Sequence, residues 1–580
     1  MGRLLRVALA VFALLGLAAS GAWVFRHEGV RLALGLPPFT DALGSREEFF
    51  LAMRDGVRLA THVMRPAGEG PWPALLMRSP YPNLRRLFEF QCELYARYGY
   101  ACVLQESRGR GDSEGEWIPF VHERDDGIDT LRWLVAEHWT DGNGGLIGAS
   151  DLGFTQWVMA DALPRDVKTI VPAVFSTNRY ATMYEHGMFR SDLYTSWTVG
   201  NSGLTAALSP REQFWGAVRH RPALEADERF LGAKLPWYRE WLSHPEPDAK
   251  LWSEGMWAEL RRVPERTNVP VLMIGGWYDH NLAGMFEAWE RLHSRDRSLF
   301  VIGPWLHTFQ SAGRDLPAGL RTTAQLQLRW LDHHLKGEPP GENAEGVFAY
   351  VMGEGFRSLP SWPPPGVRLR WYLGAPSGGD CIGSLAHDAP AARATLAYRY
   401  DPDDPVPTRG GEALLGWAAG VDAPTPGRVQ QGPPCARPDV LSFVSEPLSR
   451  DLVVIGRPIV HLEVASSAAD SAFTVKLSEV DGGGRAWNLR DGIASLAYAD
   501  GTGPSPYTPG RVVPLDFTLW PIAIHLAAGS RLRVDVSSSN FPAYHAHSNR
   551  SGPWAEQLDA VVATQTVALG DAWLELPASE

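Results

Sequence analysis

Residues 144–153 read GGLIGASDLG, a stretch that predicts a turn from a strand to a helix around a serine. Its apolar centre predicts the end of a buried strand, and residues 154–160 predict a helix. Ser150 lies on the tight turn between them, where only small residues such as Gly148 and Gly153 fit. Such a turn exposes the serine hydroxyl and leaves the next backbone N–H free to bind an oxyanion. The stretch therefore predicts a nucleophilic serine, with an ordinary strand-to-helix turn as the alternative.

Two further polar residues follow buried-strand patterns in the second quarter of the chain and just beyond it. Asp279 comes shortly after VPVLMIGG at residues 269–276, and His307 comes shortly after LFVIGP at residues 299–304. Both are expected at the carboxyl edge of the sheet, on the same side as Ser150. The order serine, acid, histidine is that of α/β-hydrolases. Together they predict a triad in which His307 takes the serine proton and Asp279 fixes the histidine tautomer.

A second oxyanion donor is expected in the loop after the third strand of such a sheet. Residues 74–77 predict that strand, which ends in the tripeptide SPY at residues 79–81. The Tyr81 hydroxyl is therefore a candidate donor beside the backbone N–H of Asp151. A tyrosine packed on the loop surface is the alternative.

Several motifs resemble the family of cocaine esterase, X-prolyl dipeptidyl peptidase and glutaryl acylase. They are GASDLG around Ser150, SPY at Tyr81, GWYD at Asp279, GPWLH at His307, RGRGDSEG at 108–115, YDPDDPVPT at 400–408 and SSSNFP at 537–542. The resemblance covers nearly the whole chain after its N-terminal leader. It implies an α/β-hydrolase core, an inserted helical cap and a C-terminal β jelly roll. It also implies that Tyr81 donates to the oxyanion.

Two departures from the family pattern bear on the substrate. The family usually has tyrosine after the nucleophile, whereas this chain has Asp151, whose carboxylate would oppose a developing oxyanion if ionised. The alternatives are that the side chain points away, pairs with an arginine or attracts a cationic substrate group. The similar α-amino-acid ester hydrolases hold the substrate amine with carboxylates just after the catalytic aspartate. Here His280 and Asn281 follow Asp279, so that amine-binding cluster is absent.

The N-terminal leader predicts export. Residues 1–6 are basic, and residues 7–25 are uncharged and apolar over a length that can cross a bilayer. Small residues at 19–21 suit a signal-peptide cleavage site, and an uncleaved membrane anchor is the alternative. In both cases the body of the protein is expected outside the cytoplasm, periplasmic or extracellular.

Composition excludes several classes of protein. The 580 residues are too many for one hydrophobic core, and a net charge of −12 without a basic stripe argues against nucleic acid as a partner. The four cysteines lack zinc-ligand spacing, and the adjacent His333 and His334 do not share a helix face, so neither metal nor cofactor is expected. Cys92 and Cys102 are predicted to be two buried thiols. Cys381 and Cys435 are candidates for a disulfide in an oxidising compartment.

The order of predicted elements gives the domain organisation. Residues 1–27 form the signal peptide or anchor, and alternating strands and helices in 40–177 and 267–338 predict a mostly parallel sheet with helices on both faces. Residues 178–266 have helical spacing, many aromatic residues and no strand pattern, which predicts a helical cap over the active edge. Short β-rich runs in 345–580 predict the jelly roll.

These observations predict an exported serine hydrolase that cleaves an ester or amide through an acyl-enzyme. The carboxylesterase, acylase and dipeptidyl-peptidase types all stay open, and the substrate is a small molecule or a peptide. The alternative is a membrane-tethered pseudo-hydrolase in which Asp151 has spoiled the oxyanion hole and the jelly roll binds a ligand. The oligomeric state is not indicated by the sequence.

Overall fold

The computed structural model of the protein describes residues 26–204, 207–307, 320–341, 344–377, 381–412, 424–501 and 503–579. The predicted apolar leader, residues 7–25, lies outside these ranges. Within them, no helix combines the length and the apolar content that crossing a bilayer requires.

The first part of the chain builds a mixed sheet and a small hairpin. Its strands are β1 (Leu43–Ala52), β2 (Arg58–Pro66), β3 (Trp72–Ser79), β4 (Ala101–Glu106), β5 (Thr140–Ala149), β6 (Val167–Ala173), β7 (Tyr184–Glu185), β8 (Met188–Phe189), β9 (Leu272–Gly276), β10 (Leu299–Gly303), β11 (Gly346–Val351) and β12 (Gly355–Leu359). Strands β7 and β8 pair only with each other, and the other ten form one sheet in the order β1-β2-β4-β3-β5-β6-β9-β10-β11-β12.

Helices surround this sheet and form the cap. They are α1 (Arg26–Ala33), α2 (Arg85–Ala96), α3 (Glu123–Ala136), α4 (Asp151–Trp157), α5 (Arg179–Met183), α6 (Ser191–Asn201), α7 (Pro210–Arg219), α8 (Pro236–Ser243), α9 (Lys250–Ser253), α10 (Gly255–Arg262), α11 (Leu282–Arg291) and α12 (Thr323–Lys336). Helices α2 and α12 contribute to the apolar core on one face of the sheet, and α3 and α11 contribute to the core on the other. Helices α5 to α10 lie in the insertion between β6 and β9.

The centre of the sheet is parallel, as the alternation of strands and helices predicts. Strand β3 pairs in parallel with both β4 and β5, and the parallel pairing continues through β6, β9, β10 and β11. Every residue of β9 and of β10 is buried, because these central strands are covered on both faces. Parallel strands bring their carboxyl ends to one edge. The residues that follow β5, β9 and β10 therefore meet there.

The last part of the chain is β-rich. Its strands are β13 (Val367–Gly374), β14 (Ile382–Ala386), β15 (Ala394–Tyr400), β16 (Leu441–Ser445), β17 (Leu452–Gly456), β18 (Ile459–Ser466), β19 (Ala472–Val480), β20 (Ala486–Ser495), β21 (Val513–Thr518), β22 (Ile522–Leu526), β23 (Arg531–Ser537) and β24 (Ala563–Ser579). These twelve strands form a second sheet. The predicted fold class, an α/β-hydrolase core with a cap and a C-terminal jelly roll, is confirmed.

Sheet membership differs from the predicted domain boundary at one place. Strands β11 and β12, residues 346–359, extend the first sheet, although the sequence assigns residues after 345 to the jelly roll. Directly after β11, the Met352 N–H donates to the carbonyl of Ala523 at 2.9 Å, and the His525 N–H donates to the carbonyl of Met352 at 2.8 Å. Backbone hydrogen bonds thus join the two sheets at this point.

All four cysteines of the chain are in disulfides. The prediction that Cys92 and Cys102 are two separate thiols is wrong. Helix α2 packs on β4 and brings their Cα atoms to 5.2 Å, within the range that a disulfide spans. Cys381 and Cys435 also form a disulfide, as the sequence allows.

Candidate active site

Ser150 lies on the turn between β5 and α4, in a conformation that few residues adopt. Its φ is +59° and its ψ is −126°, and its backbone N–H donates to the carbonyl of Ala173 at 2.9 Å. A Cβ atom on Gly148 would come within 2.4 Å of the Leu152 Cβ, and one on Gly153 would come within 3.1 Å of the Ala173 carbonyl. The two glycines are therefore required because the helix starts so close to the sheet. The turn has the geometry of a nucleophile elbow.

The three predicted triad residues meet at the carboxyl edge of the sheet. The Ser150 Oγ lies 2.9 Å from the His307 Nε2, and the His307 Nδ1 lies 3.2 Å from the Asp279 Oδ2. The other oxygen of Asp279 accepts the backbone N–H of Asn281 at 2.7 Å. With Asp279 accepting from Nδ1–H, the Nε2 atom is the one left to accept the serine proton.

The electrostatics of Asp279 favour its charged form. Complete burial of this carboxyl pushes its pKa up, but attraction to His307 and the hydrogen bonds outweigh burial and leave the pKa below its ordinary value. An ionised aspartate at this position stabilises an imidazolium on His307.

Tyr81 reaches the same place from the loop after β3. Its hydroxyl donates to the Asp151 Oδ2 at 2.6 Å and also interacts with the side chains of Ser150 and Trp197. Burial raises the pKa of Tyr81 well above its usual range, and the Asp151 carboxylate raises it further. The phenol therefore keeps its proton. The two candidate oxyanion donors are thus brought together beside Ser150, but their side chains are bonded to each other.

Asp151 is the first residue of α4, and within the described ranges no acceptor receives its backbone N–H. Its side chain is buried, and burial raises the pKa of its carboxyl above the ordinary value, although the Tyr81 hydrogen bond and the charge of Arg179 lower it in part. The side chain therefore does not point away to solvent, and it forms no direct ion pair with an arginine among the residues that the structure describes.

Arg179 is a buried cation that the sequence did not single out. Its guanidinium carbon lies 4.5–5.5 Å from the ring centroids of four aromatic residues, Phe120, Tyr194, Trp241 and Trp257. In the described part of the chain, no carboxylate lies within ion-pair distance of it, and its Nε has no hydrogen-bond partner. Aromatic faces hold this charge in the cap close enough to Asp151 to affect its pKa.

His280 is a second residue of the site that was not predicted from the sequence. Its ring centroid lies 4.4 Å from that of His307, and its Nδ1 lies 3.9 Å from the Asp279 Oδ1 without a hydrogen-bond partner. Burial, followed by repulsion from His307, holds the pKa of His280 well below its usual value, so it is neutral. Its position directly after Asp279 was the available signal.

Among the described residues, one group of side chains has donor atoms close enough together to hold a metal ion: Asp279, His280 and His307. Their ligand atoms lie within 4.8 Å of one another. A metal ion there would compete with the hydrogen bonds between Asp279, His307 and Ser150, so the arrangement suits proton transfer better than metal binding. His333 and His334 have ring centroids 4.6 Å apart, but no third ligand among the described residues joins them.

Comparisons with known proteins identify the family of this chain. Residues 55–309 match the model of X-Pro dipeptidyl-peptidase (S15 family), and residues 342–572 match that of the X-Pro dipeptidyl-peptidase C-terminal non-catalytic domain. The cocaine esterase of a Rhodococcus species is 31% identical over an alignment of 546 residues, with 87% of this chain and 93% of that protein covered.

Two solved structures share the whole architecture. An aminopeptidase from a marine sediment archaeon, Thaumarchaeota archaeon, has a TM-score of 0.79 at 23% identity, with 92% of this chain and 96% of that chain covered. An α-amino acid ester hydrolase has a TM-score of 0.78 at 24% identity, with 94% and 98% covered. At these identities the likeness shows the fold alone. The sequence match over nearly the full length of both chains goes further, and it shows that this protein is a serine hydrolase of the family that contains cocaine esterase and the S15 X-Pro dipeptidyl-peptidases.

Proposed function

We propose that this protein is an exported carboxylesterase that acts through an acyl-enzyme on Ser150. The observation that carries the proposal is the 2.9 Å contact between the Ser150 Oγ and the His307 Nε2, with Asp279 behind the histidine. A serine hydroxyl becomes a useful nucleophile only when a base accepts its proton, and His307 stands in the position of that base.

The proposed reaction has two halves. The Ser150 Oγ bonds to the ester carbonyl carbon while its proton moves to the His307 Nε2. The bond from that carbon to the leaving oxygen then breaks, and the proton on Nε2 passes to the leaving alkoxide. In the second half a water molecule gives a proton to the His307 Nε2 and bonds to the acyl carbon. The bond from that carbon to the Ser150 Oγ then breaks, and the proton on Nε2 returns to Oγ as the acid leaves.

The oxyanion of each tetrahedral intermediate is proposed to bind the Asp151 backbone N–H and the Tyr81 hydroxyl. In the resting geometry the Tyr81 proton belongs to the bond with the Asp151 Oδ2, so this bond must be exchanged during the reaction. Burial raises the pKa of the Asp151 carboxyl, and the Tyr81 hydrogen bond lowers it in part. In the proposed reaction the Tyr81 hydroxyl turns from the Asp151 Oδ2 to the oxyanion, and the Asp151 carboxylate competes with the oxyanion for this proton.

We propose ester substrates with an apolar acyl or alcohol group because aromatic side chains surround Asp151. Trp117, Phe120 and Trp197 line the space next to Asp151, and the ring centroid of Trp197 lies 5.9 Å from that of Trp117 and 5.6 Å from that of Phe120. An ester is also what the 31% identical relative is named for.

An X-Pro peptide is the second candidate, because the family model that matches residues 55–309 is named for that activity. Such a substrate carries a terminal ammonium group. Asp151 is a carboxylate beside the nucleophile, but its Oδ2 is engaged by Tyr81. This engagement favours the ester over the peptide.

Export is part of the proposal and is supported by two features. Residues 1–25 have the basic start and apolar run of a signal peptide or anchor. All four cysteines are in disulfides, which persist in oxidising compartments such as the periplasm or the extracellular space.

Activity of the purified enzyme on a panel of aryl esters, acyl amides and Xaa-Pro anilides tests the proposal. The wild type should turn over the esters fastest and should be labelled by a fluorophosphonate. Ser150→Ala should lose both the label and the turnover while keeping its circular dichroism spectrum, and His307→Ala should lose nearly as much, because triad residues act as a unit. Faster cleavage of Xaa-Pro anilides than of esters would favour the peptidase instead. Substantial activity in Ser150→Ala would refute the assignment of the nucleophile.

A further inference from the structure

A cavity of about 730 Å³ lies between the cap and the C-terminal domain, away from the proposed active site. Its walls come from helices α6, α7 and α8 on one side and from segments around residues 402–407 and 541–557 on the other. This volume is within the range of roughly 300–1,000 Å³ that small-molecule sites occupy. Its walls include none of the five residues of the proposed active site, Ser150, Asp279, His307, Tyr81 and Asp151.

Helix α6 separates the cavity from the active site. Ser191 and Thr195, four residues apart and therefore on one face of the helix, line the cavity. Leu193 and Trp197 lie on the opposite face, where Leu193 lines a space shared with His280 and Trp197 contacts the Tyr81 hydroxyl. The cavity is therefore a second site behind the cap helix and not an extension of the catalytic pocket.

Aromatic rings form much of the wall. The ring centroids of Trp215 and Phe541 are 6.3 Å apart, and those of Phe189 and Trp554 are 5.5 Å apart in a stacked arrangement. These four rings come from both sides of the cavity, the cap and the C-terminal domain. Such walls favour a flat aromatic ligand, which gains both apolar burial and ring-to-ring contact.

Among the described residues that line the cavity, one cation lacks a counter-charge. The two lining carboxylates are already paired, Asp403 with Arg221 at 2.7 Å and Asp404 with Arg437 at 3.2 Å. Arg219 also lines the cavity, and its guanidinium carbon lies 4.6 Å from the ring centroid of Trp215. In the described part of the chain, no carboxylate lies within ion-pair distance of Arg219. Stacking on Trp215 occupies the face of the guanidinium and leaves its N–H edge for a ligand.

We propose that this cavity is a binding site for a small aromatic carboxylate. The ring of the ligand packs among Trp215, Phe541 and Trp554, and its carboxylate accepts hydrogen bonds from the Arg219 guanidinium. A planar guanidinium matches a carboxylate with two parallel N–H···O bonds, which a neutral or cationic analogue cannot form. The site is independent of the reaction at Ser150.

Binding of 2-naphthoate, measured by isothermal titration calorimetry, tests the proposal directly. The comparison ligands are 2-naphthylmethanol, which is neutral, and 2-naphthylmethylammonium, which is cationic. We expect one naphthoate per chain, bound at least about tenfold more tightly than either analogue, a ratio that corresponds to one good charge-assisted contact. The affinity should be the same before and after Ser150 is blocked with a fluorophosphonate, and the same in Ser150→Ala. Loss of binding on blocking would place the ligand in the catalytic pocket and overturn the proposal.

Variants locate the ligand within the cavity. Arg219→Gln should weaken naphthoate binding about tenfold and leave naphthylmethanol unchanged, whereas Trp215→Leu should weaken both. Arg393→Gln is the matched control, because its side chain is 86% exposed on the C-terminal domain and away from the cavity. Absence of saturable naphthoate binding, or equal affinity in Arg219→Gln and the wild type, would overturn the proposal. Circular dichroism establishes that each variant is folded.

Discussion

The Tyr81 hydroxyl donates to the Asp151 Oδ2 at 2.6 Å, so two residues 70 positions apart hold each other beside the nucleophile. Both were singled out from the sequence as oxyanion donors, one through its hydroxyl and one through its backbone N–H. Because of this bond, the proposed oxyanion donor, the Tyr81 hydroxyl, contacts the Asp151 carboxylate, which competes with the oxyanion for the same proton. The two side chains can be tested separately, because each has a near-isosteric replacement that removes only one function.

Asp151→Asn should raise the turnover of neutral esters. The asparagine keeps the backbone N–H, removes the negative charge that opposes the oxyanion, and can donate its amide N–H to the Tyr81 oxygen. The measurement is kcat on a neutral aryl ester, with Asp296→Asn as the control because the Asp296 side chain is 82% exposed. If Asp151 recognises a cationic group instead, the variant should selectively lose amine-bearing substrates. An unchanged rate and an unchanged selectivity would show that the carboxylate has no part in the reaction.

Tyr81→Phe should lower kcat by roughly 10²–10³, the usual loss for one oxyanion donor. KM should change little, because the charge that the hydroxyl stabilises exists only in the transition state. Tyr507→Phe is a suitable control, since the Tyr507 hydroxyl donates to the carbonyl of Arg511 in the C-terminal domain. A large rise in KM with an unchanged kcat would assign Tyr81 to substrate binding and not to the oxyanion.

The free energy of unfolding should fall as the pH rises, because the buried carboxyl of Asp192 must lose its proton. Burial raises the pKa of this carboxyl to about 8, although the charge of Arg190 lowers it in part. The folded state therefore binds a proton that the unfolded state has already released, and stability falls from about pH 4 up to about pH 8. Asp192→Asn should flatten this fall by an amount on the order of a few kcal/mol.

The check is the melting temperature of the wild type and of Asp192→Asn at pH 5 and pH 8. The wild type should lose more than the variant between the two values. Part of the slope should remain in the variant, because burial also raises the pKa of Glu412, to about 7. Equal pH dependence of the two proteins would mean that Asp192 is ionised in the folded state.

The mature protein should be found outside the cytoplasm. Cell fractionation followed by mass spectrometry of the N-terminus distinguishes the two forms that the leader allows. An anchored form keeps residues 7–25 and sediments with the membrane, and a cleaved form begins near Gly21. Full-length protein in the soluble cytoplasmic fraction would contradict the proposal.

The triad could be predicted from sequence because its geometry follows from topology. Ser150, Asp279 and His307 each follow a strand of a parallel sheet, and parallel strands end at one edge. The Tyr81–Asp151 bond could not be predicted, because it depends on side-chain directions that no local pattern encodes. The contacts of Arg179 with four aromatic rings could not be predicted either, because the rings come from several elements of the cap and the core.

Two other differences have simple physical causes. The disulfide between Cys92 and Cys102 depends on how closely α2 packs on β4, and two cysteines ten positions apart on a helix and a strand give no sign of that distance. Strands β11 and β12 extend the first sheet although residues from 345 onward were predicted to form the C-terminal domain, because an antiparallel edge hairpin has the same alternating pattern as the strands of a jelly roll.

The backbone bonds of Met352 with Ala523 and His525 limit how far this enzyme can be treated as modular. A truncation at residues 339–345, between α12 and β11, would remove β11 and β12 and leave β10 as an open, fully apolar edge strand. Exposed edges of this kind promote aggregation. A minimal catalytic fragment, or a chimera that exchanges the C-terminal domain, would therefore have to keep residues up to Leu359 and replace the backbone partners that β22 supplies to Met352.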